Sequence, residues 1–576
     1  MDSKNQSSRP APKKELRLWP GITAVILLWL ARFGLKEIIP GFEGFEAAIT
    51  GGFAASFLVI VWWLFFSRAD HLERWGAFVL MAVMIFVTWN LNHESMGPLW
   101  LAAYALPFLF LAFVVWAFVT RKYPNKVRRI TMAVTIILSC TFWLFIRSAG
   151  IDGDHVSDFS WRWSESVEES LLTEQGAKTA AAQSTEAAAG TEPEWPGFRG
   201  PERSGVISGL KIETDWSASP PVELWRRPVG AGWSSFAVHG DYIYTQEQRG
   251  EIETVSCFHK PTGKLIWKHG DEARFFESNG GAGPRATPAL FDGKVFSLGA
   301  EGNLNVLHAG NGSVVWSRNA AQDAGANIPM WGFSASPVIA DSMVINALSG
   351  SLTAHDIKTG EPVWHKKSAG DCYSSPHLLT IGITAQIVFV NDSCAAGINP
   401  SDGTILWEHK WPGHPIVQPA LTANGDILIS VSERSGLRRL SVKKEEDTWT
   451  VTEQWTSAKI KPYFNDFVIH KGHAYGLSGR RIVCVNLKDG SRCWKGKNYG
   501  GQLVLLAEQD LLLVLSEKGS LALVQAVPDK FSELAKFKAL EGKTWNHPVI
   551  AGGILLVRNA EEMAAFKLPL FSDDQS

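Results

Sequence analysis

SGSLTAHDIKTGEPVW, residues 349–364, decides the fold. It turns on a Thr-Gly pair, and Trp364 follows Gly360 by four residues. A Gly there supplies positive φ at a tight hairpin, and the short strand after it carries the Trp at a fixed height. The same step recurs in both directions along the chain, in TGKLIW (Gly263, Trp267), NGSVVW (Gly312, Trp316), DGTILW (Gly403, Trp407) and DGSRCW (Gly490, Trp494). Trp225, Trp455 and Phe537 hold the equivalent place in degenerate copies. Successive anchors are 42, 49, 48, 43, 48, 39 and 43 residues apart, the length of a four-stranded propeller blade.

A second register agrees with the first. Each unit opens on a short strand, often preceded by Ser or Thr and Pro: SSFAV, ATPALF, ASPVIA, SSPHLL, VQPALT, NDFVIH, QLVLLA and NHPVIA. The first closing strand, around Trp225, precedes every opening strand, and the last opening strand, at Pro548, has no closing strand after it. Joining these two closes a ring of eight blades and removes free sheet edges. The anchor tryptophans read as packing between blades.

Ahead of the repeat the chain changes character. Five apolar runs, at about 18–35, 50–66, 75–91, 98–119 and 130–146, each approach the ~20 residues that span a bilayer. Trp19, Trp29, Trp75, Trp89, Trp100 and Trp116 lie towards their ends, as interfacial belts predict. Arg32, near the end of its run, reads as a snorkelling anchor. Basic residues gather before the first run (Lys4, Arg9, Lys13, Lys14, Arg17) and in TRKYPNKVRR, whereas NLNHESMG has no Lys or Arg. That bias predicts a cytoplasmic N-terminus and an extracytoplasmic remainder, held in the inner membrane. The expected organisation is a basic tail over 1–17, a five-span α-helical membrane domain over 18–149, a flexible linker over 150–194, an all-β eight-bladed propeller over 195–568 and a polar tail over 569–576. The Ala-, Thr- and Glu-rich stretch 176–194 carries the linker assignment.

The net charge of −2 provides no basic field for nucleic acid. Six cysteines, Cys140, Cys257, Cys372, Cys394, Cys484 and Cys493, show no zinc spacing, so no metal site is expected. No P-loop, GxSxG elbow or HExxH occurs.

The blade pattern resembles the PQQ-like (quinoprotein-like) propeller repeat. SGSLTAHDIKTGEPVW carries the resemblance, EGNLNVLHAGNGSVVW (residues 301–316) carries it more loosely, and WPGFRGPERSGV (residues 195–206) is similar to the start of compact PQQ-like repeat proteins. The resemblance implies fold more than activity, because this repeat serves enzymes and binding proteins alike. Its BamB-like branch implies a non-catalytic scaffold that binds envelope proteins or a polysaccharide and carries no cofactor. Its dehydrogenase branch implies pyrroloquinoline quinone and calcium over the propeller axis, with electrons passed to membrane quinone. Blades of about 45 residues leave little chain for the insertions that build such a cofactor pocket, and neither vicinal cysteines nor CxxCH is present. The reading therefore favours the non-catalytic, membrane-tethered module, with the quinone-linked dehydrogenase as the alternative.

Eight residues sit at or just before opening strands, where side chains converge on the axial channel: Trp233, Arg285, Trp331, Tyr373, Asn465, Asp466, Trp545 and His547. Together they form a candidate ligand-binding set for a planar ligand, a sugar or a peptide. The alternative is that they plug the channel and satisfy buried polar groups.

Overall fold

Each repeat becomes an antiparallel four-stranded sheet, and eight such sheets follow one another in a computed structural model that describes residues 16–39, 42–151, 156–175, 192–367, 372–432 and 434–571. Blade 1 begins at Ala237–His239, blade 2 at Ala289–Phe291, blade 3 at Val338–Ala340 and blade 4 at His377–Ile381. Blade 5 begins at Ala420–Leu421, blade 6 at Val468–His470, blade 7 at Gln502–Leu506 and blade 8 at Val549–Ala551. Blade 8 takes its outer strand, Val222–Pro228, from the N-terminal side of the ring, with Trp225 opposite Ala565. The expected ring closure is therefore present.

The anchors do more than fill space. Each indole lies over the glycine of the next blade's turn, and its Nε1 donates to the carbonyl three residues before that glycine. Trp225 bonds Lys260 O (2.7 Å) beside Gly263, and Trp267 bonds Ala309 O (2.9 Å) beside Gly312. Trp316 bonds Ile357 O (3.1 Å) beside Gly360, Trp364 bonds Pro400 O (2.9 Å) beside Gly403, and Trp455 bonds Leu487 O (2.8 Å) beside Gly490. Trp494 reaches Val527 O at 2.7 Å, where Lys530 stands in the glycine's place. Trp407 faces blade 5, whose outer hairpin is long (Leu437–Glu445, Thr448–Ser457) and lacks this turn, and it bonds Gln386 Oε1 of its own blade instead.

Blades 8 and 1 are also joined by Arg558, which is fully buried. Its guanidinium donates to Thr245 Oγ1 (2.6 Å), Gln246 O (2.9 Å) and Gly230 O (2.9 Å). Cys484 and Cys493 lie side by side on adjacent strands of blade 6, and both are free thiols.

The chain divides into two compact units, Met1–Ser164 and Glu165–Ser576. Among the described residues of the first, Gly44–Phe66, His71–Leu91 and Asn125–Phe145 are long and apolar enough to cross a membrane. Trp19–Gly34 and Ala103–Val119 are apolar but shorter. Arg32 does not snorkel. It sits on a π-helical turn, Leu30–Gly34, is buried, and donates from Nε to Ala103 O at 2.9 Å, with Tyr104's ring 4.7 Å from its guanidinium carbon. The inward turn satisfies part of the charge within the bundle, which outward extension into lipid would not.

Part of the stretch assigned to a linker is folded. It contains the strand Ser157–Trp161 and the helix Val167–Gln175. Within the second unit, Glu168 of that helix accepts from Gly250 N–H and pairs with Arg274, both at 2.7 Å. Residues 1–15, 176–191 and 572–576, which cover most of the basic tail, the rest of the linker and the end of the polar tail, lie outside the described residues.

The latch can be separated from backbone strain by comparing two glycines. Gly360 (φ 74°) would place a Cβ 2.6 Å from Trp316, whereas Gly382 (φ 64°) would place one in open space. Gly382→Ala should cost about 1 kcal/mol through φ alone. Gly360→Ala should cost at least about 2 kcal/mol, because the indole must also move. Thermal unfolding midpoints of the full-length variants check this, and equal losses would remove the indole contact from the explanation.

Candidate functional site

The axis of the ring is closed by the backbone and side chains that open each blade. The N–H just before each innermost strand lies outside the sheet ladder, so it needs another acceptor. The next blade's side chain supplies one. Ser235 N–H bonds Thr287 Oγ1, Thr287 N–H bonds Ser336 Oγ and Ser336 N–H bonds Ser375 Oγ, each at 2.9 Å. Ser375 N–H then bonds Gln418 Oε1 (2.8 Å), Gln418 N–H bonds Asp466 Oδ1 (2.8 Å) and Asp466 N–H bonds Gln502 Oε1 (3.2 Å). Ser235 Oγ donates back to His547 O at 2.7 Å. All eight ring residues are buried.

Three of the sequence-predicted site residues belong to this closure. Asp466 and His547 are ring members joined to each other, Oδ2 to Nε2, at 3.1 Å. Asn465 is buried beside them and donates to Gly501 O at 2.7 Å. Burial alone would raise the Asp466 pKa, but the Arg199 guanidinium 3.6 Å away and the hydrogen bonds from His547 and Gln418 N–H hold it below the usual carboxylate range. Burial lowers His547, against the opposing pull of Asp466.

The other five lie outside the ring, towards the end at which the innermost strands start. The Trp233 and Trp545 rings lie 4.8 Å apart at a tilt of 37°, Phe464 adds a third ring 5.2 Å from Trp545, and the Lys543 ammonium lies 4.7 Å from the Trp545 ring. Trp331 and Tyr373 form a second pair at 4.8 Å. These rings are half-buried, and beside them Ile328 and Met330 are exposed, Met330 by 72%. Arg285 is turned onto its own loop. Its donors go to Gly281 O (2.8 Å), Gly283 O (2.8 Å), Ala282 O (3.1 Å) and Glu277 (3.3 Å), and burial lowers its pKa to about 10. It ties down its own loop.

At the opposite end, residues 195–207 cross the ring. Trp195 bridges Val238 of blade 1, Pro196 O accepts from Leu290 N–H of blade 2, and Arg203 donates to Pro337 O and Ser336 O of blade 3. Arg199 donates to Phe467 O of blade 6 at 2.6 Å, and Val206–Ile207 adds a parallel strand to blade 7. Arg199 and Arg203 both hold positive φ, 62° and 51°, a conformation non-glycine residues keep only when their contacts over-determine it. WPGFRGPERSGV was legible as a motif, but its crossing of the axis was not, because its partners lie as far along the chain as Phe467, Leu505 and His547.

Asp466 is committed inside the ring, and among the described residues no three His, Cys, Asp or Glu side chains converge.

Comparison with known proteins places the chain among propellers of this kind. The family described as outer membrane protein assembly factor BamB matches residues 251–495 and again 396–565. A curated outer membrane protein assembly factor BamB from Burkholderia pseudomallei (strain K96243) is 25% identical over 169 residues, 28% of this chain. The match spans 42% of that relative's length. Among solved structures, quinohemoprotein alcohol dehydrogenase from Comamonas testosteroni aligns with TM-score 0.50 and 12% identity, covering 68% of this chain and 83% of that one. BamB from Moraxella catarrhalis aligns with TM-score 0.45 and 14% identity over 61% of this chain and 99% of that one. At these identities the structural likeness is one of fold.

A carboxylate that sequence reading missed gives a pH test of the starting end. Glu253 is buried near Arg285 with its Oε2 bonded to Ala300 N–H, and burial, assisted by Asp271 and Glu301, raises its pKa from 4.5 to about 7. Below the unfolded value both states are protonated and nothing is lost. As pH rises through the folded value the native state is penalised by up to about 3 kcal/mol. Glu253→Gln should therefore stabilise the protein increasingly between pH 5 and pH 7.5 (roughly the window between the two values). A difference in melting temperature that does not change with pH would contradict the assignment.

Proposed function

The chain belongs to the family described as outer membrane protein assembly factor BamB, and on that premise we propose that it is a membrane-tethered propeller that binds an envelope protein without catalysing a reaction on it. Five apolar helices anchor it in the inner membrane with the N-terminus in the cytoplasm, and the propeller is held outside the cytoplasm. The basic loops and the absence of Lys and Arg from NLNHESMG support that orientation.

One observation carries the reading. Half-exposed aromatic pairs, with Ile328 and Met330 beside them, gather at one end of a ring whose centre is sealed. Aromatic residues and Met are enriched at protein interfaces because they offer large contact area at low entropic cost. The sealed centre leaves this rim as a surface rather than the mouth of a pocket. A protein segment suits it better than a polysaccharide, since Met330 and Ile328 offer a sugar no hydrogen bonds.

A photo-crosslinking residue at Met330, in the full chain in intact envelopes, should give a discrete protein adduct. The same residue at Ile383, fully exposed on a blade 4 hairpin, should not. Trp331→Ala should abolish the adduct. No adduct at 330, or equal adducts at both sites, would overturn the rim as the binding surface. Stoichiometric retention of pyrroloquinoline quinone with calcium in equilibrium dialysis, lost in Arg285→Ala, would replace the reading with the quinone-linked dehydrogenase.

A further inference from the structure

The end crossed by residues 195–207 contains a cavity of about 890 Å³, between that segment and the innermost strands of blades 4, 5 and 6. Its size falls in the range of small-molecule sites. Leu379, Leu421, Phe467 and Ile469 give it an apolar wall. Among the described lining residues Glu202 is the single carboxylate, against Arg199, Arg203, Arg439, Lys471 and Lys488. We propose that this cavity binds a small polyanion, a molecule bearing phosphate or carboxylate groups on a compact body.

The argument rests on which of those cations are already neutralised. Arg439 has Asp426 at 2.6 Å, Lys471 has Asp510 at 2.6 Å and Arg199 has Asp466 at 3.6 Å. Among the described residues no carboxylate pairs with Arg203 or with the exposed Lys488. Arg203 spends two donors on main-chain carbonyls, Pro337 O at 2.8 Å and Ser336 O at 3.1 Å, which orient its guanidinium without cancelling its charge. The strained backbone at Arg199 and Arg203 brings the two arginines to one site.

Unmet hydrogen bonding points the same way. Arg199 and His377 are 3% and 2% exposed, yet Arg199 Nε and His377 Nε2 have no hydrogen-bond partner among the described residues, nor has the sealed Nε of Arg203. Such atoms cost free energy in a packed protein, and three of them on residues that line one cavity call for a reason. Their electrostatics match. Burial, then the neighbouring Arg199 charge, pushes Arg203 down to about 9. His377 is held well below its ordinary value by burial and then by Arg203 and Arg199. The positive charge is thus concentrated on guanidiniums that repel one another, and an anion in the cavity relieves that repulsion. The apolar wall leaves room for a body behind the charged groups.

Calorimetric titration of the full-length protein in neutral detergent tests the proposal, with pyrophosphate, citrate and short-chain phosphatidylglycerol as probes and trehalose as the uncharged control. Saturable one-to-one binding of an anion is expected, and trehalose should give none. Lys488→Glu, at an exposed position that the fold does not use, should weaken binding by about tenfold, as loss of one charged contact does. Arg203→Met should weaken it further. Pyrophosphate or citrate binding assigns a soluble anion, and phosphatidylglycerol binding alone assigns a lipid headgroup. Either supports the site. No saturable heat from any of the three anions at millimolar concentration, or unchanged affinity in Lys488→Glu, would overturn it.

Discussion

The structure depends on an indole laid over a glycine. Where the pattern is intact, the outer strand of one blade carries a Trp that covers the next blade's turn and donates to its carbonyl. The glycine meets two requirements at once. Its φ of about 65–74° suits the turn, and its missing Cβ leaves room for the ring. Each blade's turn is therefore the seat of its neighbour's anchor, so the order of blades in space follows from a contact that repeats along the chain. Three departures bear on this account, one of them Phe537, which has no indole N–H and packs against Trp216 and Phe566. Blade 5 lacks the turn and Trp407 bonds within its own sheet, while Lys530 replaces the glycine and Trp494 keeps only the hydrogen bond.

This half of the design was readable because it is periodic. Gly and Trp four residues apart, repeated at blade spacing, gave the blade count and the borrowed strand at Trp225. The axial ring was only half readable. The Ser, Thr and Gln before the opening strands were visible, but their bonding to a neighbouring blade's N–H was not, since Ser375, Gln418, Asp466 and Gln502 share no side-chain type around one geometric role. For the same reason Asn465, Asp466 and His547 looked like ligand groups when they are closure groups. Arg285 misled differently: its position suited a ligand, but its local carbonyls consume its donors. Arg199, Arg203 and His377 were missed because their proximity exists only in the closed ring, and Arg32's inward turn needed the packed helices to be seen.

Sealing the axis changes what the propeller can offer. In the ring, side-chain acceptors are spent on the main-chain N–H groups of neighbouring blades. The two ends are then free to differ. One presents half-buried rings in tilted pairs with a cation beside them, suited to a surface that must bury area on binding. The other concentrates charge around a cavity, suited to a ligand that brings its own counter-charge.

The crossing segment and the closing strand come from the same stretch of chain, and this couples the two ends. Residues 195–207 touch blades 1, 2, 3, 6 and 7, and residues 222–228 then complete blade 8. The closing strand's contacts need strands more than 300 residues apart to meet, as Arg226 and Glu562 do at 2.7 Å, and those of the crossing segment run from Val238 to Leu505. Such pairings are slow to form, because loop-closure entropy is spent before contacts return it. Once formed they are mutually supporting: the strand closes the ring, and the closed ring is what can hold two arginines at positive φ against its underside. The wall of the cavity is thus held by several blades at once, with Arg199 bonded to Phe467 O of blade 6 and Arg203 to Pro337 O of blade 3.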